Sequence, residues 1–208
     1  MLKLYYAPDT CSLATMIALE EAGAAYETVR IDFASRQQQS AEYLNVNPKA
    51  RVPALATKHG ILTETPAMLA YVAQAFPTVG LAPLGDPFAF AKVQEFNSYI
   101  CSTLHVAHAH RMRGHRWVDP NDKSAISAMQ RAVPDRVSAC YALIEQTMLA
   151  GPWVMGDRYT ICDGYLFTLA QWLEQDGVDP ARVPRVIEHS GRVAERPAVK
   201  HALAREAG

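Results

Sequence analysis

The chain has 208 residues, half of them hydrophobic, and a formal net charge of −1. That balance excludes a charge-driven nucleic-acid or anionic-membrane partner, and it supplies enough apolar residues for a sizeable core. Charge or proline interrupts every long apolar run, so no segment reads as a bilayer span, and no basic region followed by an apolar stretch opens the chain; a cytoplasmic location is expected.

Residues 1–76 alternate in type. Leu2–Tyr6 reads as a strand, followed by a proline-containing loop and a cysteine, Cys11, just before a helix over Ser12–Ala22 that ends at Gly23. Tyr26–Phe33 alternates as a second strand, and Ser40–Val46 suits a short helix. Val52–Thr57 and Ile61–Thr63 flank Lys58-His59-Gly60, a hairpin signal. Thr65–Phe76 is a strong helix pattern, with Thr65 as expected N-cap and Pro66 at the first helical position. Pro77–Pro87 is rich in proline and glycine and marks a boundary. Beyond it no strand pattern occurs. Phe88 to about Arg113, Ser124–Leu149, a helix opened by Thr160, then Val183–Arg196 and Ala198–Glu206 all carry helical periodicity, with Ala150–Arg158 as a loop.

The four cysteines, Cys11, Cys101, Cys140 and Cys162, are far apart and none forms a C-x-x-C pair. A disulfide framework and a zinc finger are both disfavoured. Cys101, Cys140 and Cys162 fall in helical patterns and read as buried inert thiols. Cys11 differs. A helix start gathers unpaired N–H groups and the positive end of the dipole, which favours a thiolate. It is either a nucleophile or a small packing residue. Its neighbour Ser12 is either a hydrogen-bond donor to that sulfur or a cap.

Other constellations are individually weaker. In Arg51-Val52-Pro53-Ala54, a cis proline would present the Val52 backbone N–H and C=O to an extended peptide; the alternative is a strand-start proline. Glu64-Thr65 could clamp the ammonium and carboxylate of an amino-acid head group, or simply begin a helix. His105 lies near His108, His110 and His115, but no acidic residue accompanies them at ligand spacing, so no metal site is expected. A histidine facing an interdomain cleft is the better reading of His105. Thr160 and Asp163 have capping-box spacing rather than a catalytic one.

Together, in order and spacing, these features resemble a cytosolic glutathione transferase. The segments YYAPDTCSLA, VNPKARVPAL, LTETPAM, STLH, GDRYTICDGYLFTL and RVAERPAV are similar to those of the bacterial beta class, and the resemblance covers the whole chain. It implies an α/β thioredoxin-like domain at residues 1–79 (βαβ then ββα, with a mixed four-stranded sheet), a linker at 80–87 and an all-helical domain at 88–208. It implies a homodimer that conjugates glutathione, the co-substrate, to a small hydrophobic electrophile, with no prosthetic group. Cys11, Ser12 and His105 would be catalytic. Glutathione would be held by Cys11, Arg36, Lys49, Val52, Pro53, Glu64, Thr65, Ser98, Ser102 and His105. Thr65, Arg36, Val106 and Ser98 depart from the class pattern, and the His- and Arg-dense stretch Ala107–Trp117 would border the electrophile pocket. Keeping the fold, two other functions stand beside conjugation: glutaredoxin-like thiol–disulfide exchange through Cys11 and glutathione, or a non-catalytic binding module.

Overall fold

The computed structural model describes residues 1–208. Four strands, β1 (Leu2–Tyr6), β2 (Tyr26–Arg30), β3 (Ala54–Thr57) and β4 (Gly60–Thr63), form one sheet in the order β2-β1-β3-β4. β1 runs parallel to β2 and antiparallel to β3, which pairs antiparallel with β4. The sheet is therefore mixed. Helix α1 (Ser12–Glu21) makes the parallel crossover between β1 and β2, α2 (Ala41–Leu44) is a single turn capped by the Ser40 hydroxyl, and α3 (Thr65–Ala75) follows β4.

The rest is helical: α4 (Pro87–Tyr99), α5 (His105–Arg113), α6 (Lys123–Arg131), α7 (Val133–Leu143), α8 (Ile161–Ala170), α9 (Pro184–Ala194) and α10 (Pro197–Ala207). The two long helices read from periodicity are each interrupted. A π-helical turn at Ile100–Leu104 separates α4 from α5, and hydrophobic periodicity does not register such a turn. The second pattern breaks at Ala132, because Pro134 has no N–H to continue the ladder.

Two further differences are local. β2 ends at Arg30 rather than Phe33. The N-cap position of α3 is Glu64, not Thr65, with no side-chain cap bond, so Thr65 is the first helical residue and Pro66 the second. Glu64 takes φ 75° and ψ 119°, a conformation rare outside glycine.

Helix α1 is the keystone. Every residue from Ser12 to Leu19 is buried, because α1 packs against α3, α8 and α10 as well as the sheet. A helix covered on all sides needs apolar residues all round, which this one has apart from the buried hydroxyls of Ser12 and Thr15. Gly164 lets α8 approach: a Cβ there would lie 2.9 Å from Ile17 Cγ2. One core cluster of 43 buried residues runs through both halves of the chain, so the sheet and the helices are expected to unfold together.

The Thr160–Asp163 capping box is present, and Asp163 does more than cap. Its fully buried carboxylate accepts from the Val154 and Thr160 backbone N–H groups at 2.7 Å and meets His189 Nε2 at 2.8 Å. It thus fixes the 150–159 loop and α9 to the start of α8.

Candidate active site

A cleft of about 660 Å³ opens where the loops at one end of the sheet face α5. The sheet-side wall comes from the β1–α1 loop, the segment before β3 and the start of α3. The Tyr43 hydroxyl and the Asn47 amide both donate to the Arg51 carbonyl, at 2.8 and 2.6 Å, and hold the Arg51–Pro53 segment. The Val52–Pro53 peptide bond is cis. Val52 N–H has no hydrogen-bond partner within the chain, and its carbonyl accepts from the Cys11 thiol at 3.8 Å.

Cys11 is the N-cap residue of α1, and it lines the cleft. The helix start does not make it a thiolate. Burial pushes its thiol up to about 11, beyond what a hydrogen bond from the Thr65 side chain and the Arg51 charge take back. Desolvation of the charged form outweighs the N-terminal field. At neutral pH Cys11 is a thiol and a donor.

Glu64 and Thr65 lie beside it. Lys49 Nζ donates to Thr63 Oγ1 at 2.6 Å and pairs with the Glu64 carboxylate. Opposite stand residues of the helical half. His105 lines the cleft next to Trp172, with ring centroids 5.5 Å apart. Burial, with help from His108, Arg116 and Arg51, lowers its pKa to about 4. His105 is therefore a neutral imidazole, able to donate through one nitrogen and accept through the other. Behind it His108 stacks on Trp172 at 4.2 Å, and its Nδ1 lies 2.7 Å from Asp176.

The cleft thus brings together Cys11, Lys49, Val52, Pro53, Glu64, Thr65 and His105. It does not include Ser12, Arg36, Ser98 or Ser102. Ser12 is fully buried, with its Oγ 2.8 Å from Thr10 Oγ1. Arg36 is exposed at φ 59°, and Gln38 and Gln39 line the wall in its neighbourhood. Ser98 and Ser102 are exposed, while the adjacent Asn97 is fully buried with its amide unpartnered.

Sequence reasoning missed Cys101, Tyr165 and Trp172. Cys101 sits in the π-helical turn and lines the cleft; burial raises its thiol pKa, and Glu64 adds to the effect. Tyr165 is fully buried, lines the cleft and has an unpartnered hydroxyl. Tyr165 lies within α8 and Trp172 just past its end, and an apolar context hides both among core positions.

The profile described as the glutathione S-transferase N-terminal domain matches residues 1–74. The chain is 30% identical over 207 residues to glutathione S-transferase GstA of Escherichia coli O157:H7, covering 99% of this chain and 98% of that one. A glutathione transferase homologue from Sulfitobacter, solved with bound glutathione, superposes with a TM-score of 0.94 at 43% identity, over 99% of this chain and 98% of that one. The bacterial beta-class enzyme of Sphingomonas chungbukensis gives 0.84 at 31% identity, over 98% of each chain. With this likeness running through both the sheet and the helices, the chain belongs to the glutathione S-transferase family.

Proposed function

We propose that the protein is a glutathione transferase of beta-class type, a homodimer that joins the glutathione sulfur to an electrophile lodged against α5. The observation that carries this reading is the convergence of Val52, Glu64 and Thr65 on the sheet side with Cys11 and His105 around one cleft. An extended tripeptide laid along the segment before β3 can pair with the free Val52 N–H. Its γ-glutamyl carboxylate meets the N-terminal amides of α3, and its ammonium meets the Glu64 carboxylate.

The glutathione thiol then points to Cys11 and His105. Being protonated, Cys11 can turn its one S–H from the Val52 carbonyl to the glutathione sulfur, and neutral His105 offers an N–H. Arg51 and Arg116 add positive charge. Donors and cations favour the charged form of a thiol. A shift of two units from the ordinary value near 8.5, worth about 2.7 kcal/mol, makes the bound thiol mostly thiolate at neutral pH. The thiolate forms a C–S bond to the electrophilic carbon, the leaving group departs with its bonding pair, and the thiol proton passes to solvent.

The raised Cys11 pKa argues against Cys11 as the attacking sulfur in thiol–disulfide exchange. In this reading residues 1–79 bind glutathione, residues 88–208 bind the electrophile, and Ser98 turns towards the partner subunit's glutathione. Arg36, Ser12 and Ser102 do not line this chain's own cleft. The test is conjugation of glutathione to a chlorodinitrobenzene, with sedimentation at micromolar concentration. Conjugation by a dimer is expected. A monomer would contradict the dimer. No conjugation, no disulfide exchange and no retention on immobilised glutathione would leave only a binding module.

A further inference from the structure

We propose that the electrophile this transferase takes is an aromatic molecule carrying a carboxylate, held by Arg113 and Arg116 on the helical wall of the cleft. The proposal rests on the transferase reading above and adds the charge of the second substrate to it.

Arg113 ends α5 and Arg116 lies in the turn that follows; both line the cleft, and Arg51 faces them from the sheet side. None of the three makes an ion pair within the chain. Four other arginines of the helical half do, Arg111 with Asp176, Arg192 with Glu188, Arg196 with Glu21 and Arg205 with Glu20, and those without an ion pair, such as Arg131 and Arg182, lie outside the cleft. The cleft's own acids are Asp9 and Glu64; Glu64 pairs with Lys49, and neither acid makes an ion pair with these arginines. Three guanidinium groups therefore line one cleft from its two walls, none with an ion-pair partner in the chain. The mutual effect is visible at Arg116, whose proton is loosened by burial and then by the charges of Arg51 and Arg113. Guanidinium cannot escape by deprotonating near neutral pH, and an anion bound between Arg113 and Arg116 would relieve the repulsion that water only screens.

Glutathione does not supply all of it. It carries two carboxylates and one ammonium. The γ-glutamyl pair is matched by the start of α3 and by Glu64, and the glycyl carboxylate needs one cation, which the sheet-side wall has in Arg51. Arg113 and Arg116 belong to the opposite wall.

The same wall is aromatic and apolar. Trp117 and Met112 line the cleft mouth, 45% and 57% exposed, and Trp172, Val106 and Ala109 lie along it. A purely apolar wall would suit a neutral hydrophobe. Planar guanidinium groups beside an indole suit a ring bearing a carboxylate, which they can grip in a bidentate fashion.

The test compares a chlorodinitrobenzoate with the corresponding chlorodinitrobenzamide. In both, the glutathione sulfur bonds to the carbon bearing chlorine, chloride leaves with the C–Cl pair, and the thiol proton goes to buffer. The kcat/KM for each probe is divided by its uncatalysed rate constant with glutathione. The wild-type protein should favour the benzoate by about tenfold or more on this normalised scale, as a close charge pair provides. Raising the salt to about 1 M, where screening reaches within about 3 Å, should shrink the preference. The double substitution R113Q/R116Q should collapse the ratio towards one, and R113K/R116K should restore part of it. A wild-type ratio near one would overturn the proposal while leaving the transferase intact. So would a double variant that raises the KM for glutathione and keeps the ratio, since the pair would then serve glutathione. Turnover of neither probe nor of chlorodinitrobenzene would overturn the transferase reading and this proposal with it.

Discussion

The Cys11 thiol donates to the Val52 carbonyl across 3.8 Å, joining the start of α1 to the segment before β3. The sulfur that looked most reactive in the sequence is thereby a neutral donor, placed against the backbone that an extended ligand would use. A helix start raises thiolate character only where water or a cation can share the charge. Here burial removes the water.

Alkylation of Cys11 by iodoacetamide should consequently be slow at pH 7 and should accelerate only as the pH approaches its pKa of about 11. Peptide mapping of the alkylated protein checks this. A free cysteine near 8.5 is a few per cent thiolate at pH 7, and the thiolate fraction of Cys11 is about 300-fold smaller, so its alkylation should lag such a thiol by about two orders of magnitude or more.

Glu64→Gly separates strain from ligand binding. Glu64 holds φ 75°, where glycine is at ease, so the substitution should leave the melting temperature within a few degrees of wild type or raise it. It also removes the carboxylate that pairs with Lys49 and that the ligand ammonium would meet. The KM for glutathione should rise about tenfold, the loss of one charged hydrogen bond. Thermal unfolding and steady-state kinetics on the same preparation read both effects.

Glu206 on α10 is buried near Asp9, and burial followed by the Asp9 charge pushes its carboxyl up to about 7. A carboxyl raised from 4.5 binds more protons folded than unfolded between those values, so stability falls as the pH rises through that window. Glu206→Gln should therefore raise stability by roughly 1–3 kcal/mol above pH 7 and by little below pH 4.5. Urea unfolding at pH 5 and pH 8 gives the comparison.

Asp163→Ala strikes the buried joint between α8, α9 and the 150–159 loop. It strands His189 and two backbone N–H groups at fully buried positions. A loss of about 3–5 kcal/mol is expected, larger than for any other variant named here. Urea unfolding measures it directly.

Much of this was legible in the sequence because it is carried by local rules. The strand–helix order, the capping box at Thr160 and Asp163, and the gathering of Cys11, Val52, Glu64, Thr65 and His105 follow from periodicity, caps and a family resemblance. What was not legible depends on neighbours distant in sequence. The π-helical turn that carries Cys101 into the cleft has no hydrophobic signature. The Cys11 pKa is set by burial beneath segments forty or more residues away. Tyr165 and Trp172 look like core residues until the opposite wall is built. The cationic face was half visible, as the dense His and Arg stretch before Trp117, but its lack of counterions emerged only with the ion pairs made elsewhere.

The central claim is that glutathione, not Cys11, supplies the attacking sulfur in this cleft. Ultraviolet difference titration of the thiolate band, with glutathione bound to the Cys11→Ala protein, tests it most directly. A bound-glutathione thiolate with a pKa of about 6.5–7.5 is predicted, the upper part allowing for the lost S–H donor, together with conjugation retained within about tenfold of wild type. No thiolate band and no conjugation in Cys11→Ala, with the wild-type protein accumulating a mixed disulfide on Cys11 during turnover, would contradict it.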